Sequence, residues 1–264
     1  TITTSEYNKK INEIMNRCDN ETLSLVLDDL QVLKKNLFGF EVDSGKTDIV
    51  NGKIRIQLAW SGDAVYSMQL ALDEDDKELA YSVPCEGSNI WFDGWVMPKG
   101  ADKELAQIFV DFISRPENAV RNMNMVGYTS AIAGQDVFDE ISDWYDESEV
   151  QEDGTVSTDG LIPYDLTYFF EGTLDEGVEA IIYTSTLRGQ LFTQYPDLDT
   201  VNRCAIMQDF GDQTNKVIEM WSSVKAVDLP LWATISFFVV VVLGIVSIGV
   251  FAIISNRRKL RFRK

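Results

Sequence analysis

The chain has 264 residues, a formal net charge of −19 at pH 7 and no histidine. The absence of histidine excludes Cys/His zinc sites and histidine-dependent serine or cysteine nucleophiles. A chain with this much negative charge repels nucleic acid and attracts cations. We therefore expect no nucleic-acid partner. Three cysteines, Cys18, Cys85 and Cys204, are too few to form a disulfide framework. The sequence predicts no metal and no cofactor.

The N-terminal region is predicted to be helical. The chain begins at Thr1 without an initiator methionine or an apolar leader, so we expect it to be the C-terminal part of a longer polypeptide. Three- and four-residue spacing of apolar side chains predicts helix over residues 5–37. This stripe comprises Leu23, Val26, Leu27, Leu30, Leu33 and Leu37.

Strands and helices are predicted to alternate over the next hundred residues. The alternating stretch KIRIQLAW, residues 53–60, predicts a strand, and a helix is expected to begin at Ser61-Gly62-Asp63. Residues 79–84 and 95–98 are predicted as further short strands. Asp102 is a candidate helix cap, Pro116 fits the first turn of a second helix, and Gly127 ends this pair.

The rest of the chain before the C-terminal region is predicted to be an acidic stretch followed by helices. Residues 136–160 carry many carboxylates with Gly and Ser, which predicts a solvated loop. Helices are expected around residues 173–186 and 201–224. Strands that alternate with helices indicate an α/β body.

The C-terminal region predicts a membrane anchor. Residues 229–255 contain no charge and are long enough to cross a hydrocarbon core of about 30 Å. Trp232 lies near their start, where interfacial aromatic residues are common. The last eight residues carry six Lys and Arg side chains, so the rest of the chain carries −25. The positive-inside rule then predicts a transmembrane helix at 229–255, a basic cytoplasmic tail at 256–264 and an acidic domain outside the cytoplasm.

Two stretches resemble functional motifs but do not match their spacing. DSGKT, residues 43–47, resembles the end of a phosphate-binding loop, but the preceding glycine, Gly39, is misplaced by one residue, which favours a turn. The acidic stretch fails calcium-loop spacing, because Glu149 and Gln151 occupy ligand positions one and three ahead of Gly154. No pair among the 42 acidic residues is singled out as catalytic.

The stretch SNIWFDGWVMPKG, residues 88–100, is the first candidate for a binding site. Trp91 and Asp93 share a face if the backbone is extended. Trp60 ends the first predicted strand, and strand ends are where open sheets collect ligands. A carboxylate beside indole rings is typical of a site for a cation, although aromatic residues in strands are also common core residues. Trp95 is interpreted as core because its neighbours are apolar.

Three stretches together resemble one protein family. IQLAWSGDAVYSM, the segment from SNIWFDG to VGYTSA, and YPDLDTVNRCAIMQDFG are similar to the substrate-binding proteins of polyamine ABC importers, the spermidine/putrescine-binding type. The resemblance covers most of residues 20–135 and 195–222. It implies a type II periplasmic-binding-protein fold, in which two α/β lobes close over a ligand.

The resemblance also implies particular site residues and domain limits. Aromatic side chains of these proteins sandwich the methylene chain of the ligand, and carboxylates hold its ammonium groups. Carried onto this sequence, the substrate-binding residues are Trp60, Trp91, Asp93, Tyr128 and Gln208. Residues 1–91 are expected in the second lobe, 92–140 in the return to a largely missing first lobe, 141–194 in an acidic insertion, and 195–226 in helices that close the second lobe.

The sequence therefore predicts a membrane-anchored receptor that carries out no chemistry. It binds spermidine or putrescine outside the cytoplasm, delivers it to ABC permease subunits and contacts the bilayer through residues 229–255. Alternatives left open are another solute on the same fold (thiamine, a metal chelate or an anion), an anchored extracellular hydrolase, and an adhesion or scaffold module.

Overall fold

Helices form most of the regular structure in the computed structural model, which describes residues 4–40 and 43–226 together with Ser236, Val239, Leu243 and Gly244. The helices of the described part are α1 Thr4–Met15, α2 Asn20–Lys34, α3 Gly45–Val50, α4 Ser61–Asp75, α5 Lys103–Ile113, α6 Pro116–Val126, α7 Gln135–Tyr145, α8 Thr167–Phe170, α9 Gln190–Gln194, α10 Leu198–Val201 and α11 Thr214–Lys225. The strands are β1 Asn89–Ile90, β2 Glu149–Val150, β3 Val156–Ser157, β4 Ile162–Asp165, β5 Ile181–Thr184 and β6 Ala205–Ile206.

The strands pair in three two-stranded sheets. β1 and β6 are parallel, whereas β2 with β3 and β4 with β5 are antiparallel. The prediction of a mixed α/β class is confirmed, with strands of only two to four residues in the described part of the chain. The parallel pair joins residues more than a hundred positions apart, because Asn89 lies opposite Ala205 and Ile90 opposite Ile206.

Local capping signals place several helices where the sequence predicts them. The Asp102 carboxylate accepts a hydrogen bond from the Leu105 N–H at 3.1 Å, Pro116 opens α6, and Gly127 ends it with φ of 71°. α4 begins at Ser61 as expected. The region 5–37 is two helices instead of one, since Asp19 caps α2 by accepting from the Thr22 N–H at 3.0 Å.

The segment predicted as a solvated acidic loop contributes three residues to the main hydrophobic core, and that prediction is wrong for residues 136–145. These residues belong to α7, whose Val137, Phe138 and Ile141 are buried. The i, i+1, i+4 spacing puts them on one face, and the carboxylates lie on the other. They pack in a cluster with Met123, Tyr164, Leu166, Phe170, Ala180, Ile182, Leu191 and Tyr195.

The predicted strands at 53–60, 79–84 and 95–98 do not form. Ile56 and Leu58 are 90% and 100% exposed, and no strand pairs with these segments in the part of the chain that the structure describes. A strand requires a neighbouring strand for its backbone hydrogen bonds, and side-chain alternation does not supply one. Trp95, interpreted as core, is 70% exposed and only meets the Phe109 ring edge-on at 5.3 Å.

The predictions of helices at residues 173–186 and 201–224 are also partly wrong. Residues 181–184 are β5, because a β-branched run pairs with β4. Residues 205–206 are β6, and helix α11 begins only at Thr214, after a 3₁₀ turn at Gly211–Gln213.

The predicted transmembrane helix at 229–255 lies outside the described residues, apart from Ser236, Val239, Leu243 and Gly244, and the basic tail at 256–264 lies wholly outside them. Among the described residues, no helix has the length and apolar character needed to cross a membrane. The membrane anchor and the orientation deduced from it stay predictions.

Truncation of a core side chain on α7 tests the position of this helix. Ile141→Ala should lower the free energy of unfolding by about 2–5 kcal/mol, because it opens a cavity in the buried cluster. Asp143→Ala, on the exposed side of the same helix, should change it by less than about 0.5 kcal/mol. Denaturant unfolding of both variants measures the difference, and equal small effects would contradict a core position for α7.

Because several tyrosines are buried, we expect the folded state to lose stability at alkaline pH. Burial, followed by the charge of Asp197, raises the pKa of Tyr168 from 10.0 to about 12, and burial also raises the pKa of Tyr145, Tyr164 and Tyr195. A raised folded-state pKa stabilises the fold below pH 10, and this contribution is lost as the pH rises from 10 through the folded value.

The free energy of unfolding should therefore fall between pH 10 and about 12. Tyr168→Phe removes a hydrogen bond of 2.7 Å to the Pro196 carbonyl and should cost about 0.5–1.5 kcal/mol at neutral pH. Its alkaline slope should be shallower than that of the wild type. Denaturant unfolding at stepped pH gives both slopes, and identical slopes would rule out Tyr168 as a contributor.

Candidate functional site

The start of α4 is in contact with the turn that carries Tyr128. Trp60 is the residue before the helix and has an extended backbone, with φ of −65° and ψ of 150°. Gly62 lies under the Tyr128 ring so closely that a Cβ there would be 2.1 Å from Cδ2 and Cε2 of the ring. Only glycine permits this approach. The contact brings Trp60 and Tyr128, 68 positions apart, to the same place.

Charged groups surround the Tyr128 phenol. Burial raises its pKa most, Asp63 raises it further, and Asp93 adds a smaller contribution in the same direction. A backbone hydrogen bond from Asp63 and the charge of Lys46 lower the pKa of Tyr128. The charges of Asp63, Lys46 and Asp93 therefore act on the phenol, and Asp63 also contacts it through its backbone.

Asp63 and Lys46 are site residues that sequence reasoning did not identify. Asp63 directly follows the Trp-Ser-Gly motif, so its place in the motif was an available signal. Lys46 belongs to the DSGKT stretch interpreted as a turn. That stretch instead leads into α3, and Lys46 Nζ lies 2.7 Å from Asp43 Oδ1 and 3.7 Å from Asp63 Oδ1.

Partly buried hydrogen bonds hold the turn that carries Tyr128. The Gln194 side chain donates to the Gly127 carbonyl at 2.7 Å and accepts from the Tyr145 hydroxyl at 2.8 Å. The Thr129 hydroxyl donates to the Gln194 carbonyl. Gln194 is buried in α9, and Tyr145 ends α7. The segment that follows Tyr128 in the sequence therefore folds back and supports it.

Trp91 and Gln208 lie just beyond the carboxyl ends of the parallel strands β1 and β6. The Met207 N–H donates to the Ile90 carbonyl at 3.2 Å, which extends the pairing beyond the two strands. Trp91 is half-buried, whereas Asp93 and Gln208 are exposed. Because Asp93 follows Trp91 by two residues, the segment 91–93 connects this strand end with the surroundings of Tyr128.

Asparagines of α1 fix the segment that carries Gln208. The Asn12 side chain accepts from the Ile206 N–H at 2.7 Å. The Asn16 side chain donates to the Ile206 carbonyl at 2.9 Å and accepts from the Gln208 N–H at 3.0 Å. The two amides thus bind the backbone edge of β6 that faces away from β1, and they set the position of Gln208.

Two cavities lie in the described part of the structure, and the smaller one borders the turn that carries Tyr128, because Gly127 and Gln194 line it. One of about 360 Å³ is lined mainly by α4, the end of α6 and α9, and one of about 620 Å³ lies between residues 78–80 and 184–191. Both include Trp144, Tyr145 and Gln190 in their walls. None of the five predicted residues lines either cavity. The candidate residues are instead exposed or half-buried, and Trp60 is 51% exposed.

The described residues offer no obvious site for other chemistry. No group of three or more Cys, Asp or Glu side chains among them is arranged to hold a metal ion. Cys18, Cys85 and Cys204 are free. What the arrangement at Tyr128 provides is indole and phenol rings next to carboxylates, which suits the binding of an organic cation.

Comparison with known proteins gives partial matches. The chain is 33% identical over 92 residues to the putrescine/agmatine-binding protein of Pseudomonas aeruginosa, covering 34% of this chain and 25% of that protein. It is 28% identical over 101 residues to the putrescine-binding periplasmic protein PotF of Escherichia coli, covering 38% and 27% respectively. It is 25% identical over 121 residues to a spermidine/putrescine-binding periplasmic protein of Salmonella typhimurium, covering 46% and 33%.

The chain therefore spans a quarter to a third of the length of these curated relatives. No solved structure gives a significant match. A sequence profile described as bacterial extracellular solute-binding protein matches residues 6–151, which is just over half of the chain. This range contains four of the five predicted site residues, Trp60, Trp91, Asp93 and Tyr128. The chain belongs to the family of bacterial extracellular solute-binding proteins.

Proposed function

We propose that the protein is the extracytoplasmic substrate-binding component of an ABC importer and that it binds polyamines such as putrescine or spermidine. The observation that carries this proposal is the contact in which the Tyr128 ring lies on Gly62, because it brings the segment from Trp60 to Asp63 beside Tyr128. The three relatives described above have names that specify putrescine or spermidine. The family profile matches residues 6–151, which include Trp60, Asp63, Asp93 and Tyr128.

The chemistry of a polyamine fits such a group of residues. A polyamine is an apolar methylene chain with ammonium groups along it. The indoles of Trp60 and Trp91 cover methylenes and attract ammonium groups, at about 0.5–2 kcal/mol for each contact. Asp93 and Asp63 accept charge-assisted hydrogen bonds from the amines. Tyr128 and Gln208 orient the remaining donors. The net charge of −19 raises the local concentration of cations and speeds capture.

Exposed and half-buried side chains are expected on one wall of a cleft. The first lobe, expected to be largely missing from this chain, would supply the opposite wall, and closure of the lobes over the ligand creates the form that docks on the permease. This mechanism includes binding and closure and no covalent step. The division into residues 1–91, 92–140, 141–194 and 195–226 stays a prediction within this proposal.

Membrane attachment through residues 229–255 is a further part of the proposal. It rests on the uncharged stretch and the basic residues that follow it. A tethered receptor remains close to its permease, so its effective concentration there exceeds that of a freely diffusing one.

Thermal unfolding of the complete polypeptide with added ligands tests the ligand class. Putrescine or spermidine at about a hundred times its dissociation constant should stabilise the fold by ~2.7 kcal/mol. Trp91→Ala and Asp93→Ala should abolish most of this shift, because they remove an aromatic wall and a carboxylate partner. Trp95→Ala is the matched control, since Trp95 is an exposed tryptophan of the same segment outside the proposed site.

A shift with polyamines only, lost in the two variants and kept in the control, is the expected result. A shift with thiamine or a neutral sugar and none with polyamines would mean that the family is right and the ligand class wrong. If no small molecule raises the unfolding temperature, the receptor proposal itself fails.

A methyl group at Gly62 tests the contact with Tyr128. Gly62→Ala should force the Tyr128 ring to move, at about 1–3 kcal/mol of stability, and should weaken polyamine binding. Gly94→Ala is the control, because a Cβ at Gly94 meets nothing within 4 Å and its backbone does not require glycine. Calorimetric titration and denaturant unfolding measure both effects. Unchanged stability and affinity in Gly62→Ala would contradict the packing of Tyr128 on Gly62.

A further inference from the structure

Lys46 occupies a position that resembles the proposed binding place of a ligand ammonium. Its Nζ lies 2.7 Å from Asp43 Oδ1, 3.7 Å from Asp63 Oδ1 and 5.8 Å from the centroid of the Tyr66 ring. Two carboxylates and an aromatic face are the groups that recognise an organic ammonium. The side chains of Lys46 and Asp63 are only 27% and 20% exposed, so this is not a fully solvated surface pair.

The backbone of Lys46 is also fixed to the helix that carries Asp63. The buried Ser67 hydroxyl lies 3.1 Å from the Lys46 carbonyl and 2.9 Å from the Asp63 carbonyl. Ser67 and Asp63 belong to α4, while Lys46 belongs to α3, which packs against α4. A lysine whose main chain is held in this way loses less conformational freedom when it pairs with Asp63.

Lys46 therefore carries its charge into the surroundings of Tyr128. Burial and Asp63 raise the pKa of Tyr128, whereas Lys46 lowers it. A ligand ammonium that approaches Asp63 meets a like charge already present and has to displace it toward Asp43, whose side chain is exposed. Like charges at close range oppose binding.

We propose that Lys46 is an internal cation of the ligand site, which competes with one ammonium group of the ligand for Asp63 and so limits how many ligand charges the site accepts. This inference rests on the proposed function and adds a residue that sets affinity and charge selectivity. Removal of the Lys46 charge frees Asp63 for the ligand, and ligands with an ammonium group at that position gain the most.

Titration calorimetry of the complete polypeptide with putrescine and spermidine tests the competition. Lys46→Met should tighten the binding of at least one of the two polyamines by about fivefold or more, which corresponds to the lower end of measured coupling between sites. Lys46→Arg, which keeps the charge, should bind like the wild type. Lys9→Met removes the same charge from an exposed pair in α1, where Nζ lies 4.0 Å from Glu13, and should leave affinity unchanged.

A readout without ligand separates this inference from the proposed function. Ultraviolet titration of tyrosine, with Tyr128→Phe as the background, reports the pKa of Tyr128. That pKa should rise in Lys46→Met, because a nearby cation is lost, and should not change in Lys9→Met. If Lys46→Met does not fold, Lys46→Gln takes its place in both experiments.

Tighter binding in Lys46→Met together with a raised pKa of Tyr128 supports the inference. Wild-type binding of polyamine with equal or weaker binding in Lys46→Met overturns it and leaves the proposed function intact. If neither the wild type nor Lys46→Met binds any polyamine, the proposed function and this inference both fail. An affinity gain of the same size in Lys9→Met would show that the gain comes from the change in net charge of the protein. That result would also overturn the proposed competition for Asp63.

Discussion

The packing of the Tyr128 ring on Gly62 is the constraint on which the candidate site depends. No other residue type permits a ring to lie this close to the backbone at the start of a helix. The contact unites two chain segments that are separated by α5 and α6, and the charges of Asp63 and Asp93 act on the phenol. Because the ring is half-buried, the charges near it act through a partly water-excluded region, where their effect on one another is stronger than in bulk water.

The support of this contact comes from an unexpected part of the chain. Gln194 joins the Gly127 carbonyl to the Tyr145 hydroxyl, so the turn that carries Tyr128 is tied to α7 and α9. Helix α7 belongs to the stretch rich in acidic residues, and it also contributes Val137, Phe138 and Ile141 to the buried core. Acidic surface and apolar interior are thus two faces of the same segment, and the residues that follow Tyr128 hold it in place.

Structural features that depend on a few neighbouring residues could be predicted from the sequence. Asp102 and Gly127 each bond a backbone group within four residues, Pro116 fixes its own backbone, and each lies at the end of a helix as expected. The alternation of residues 53–60 was not sufficient, because a strand depends on a distant partner. The buried stripe of α7 was hidden because carboxylates separate Val137, Phe138 and Ile141 from other apolar residues. At the site, the resemblance of motifs predicted Trp60 and Tyr128 as binding residues. It gave no information on Lys46, whose position follows from the packing of α3 on α4.

The asparagines of α1 have a consequence for the solution behaviour of the protein. A short parallel pair leaves one backbone edge of β6 unpaired, and free strand edges are templates on which other chains add and aggregate. Ile206 on this strand and Met207 just after it are half-exposed apolar residues, which increases that hazard. The Asn12 and Asn16 amides occupy the N–H and carbonyl groups of Ile206 and the N–H of Gln208. Two side chains of one helix thereby cap a sheet edge and close it to another strand.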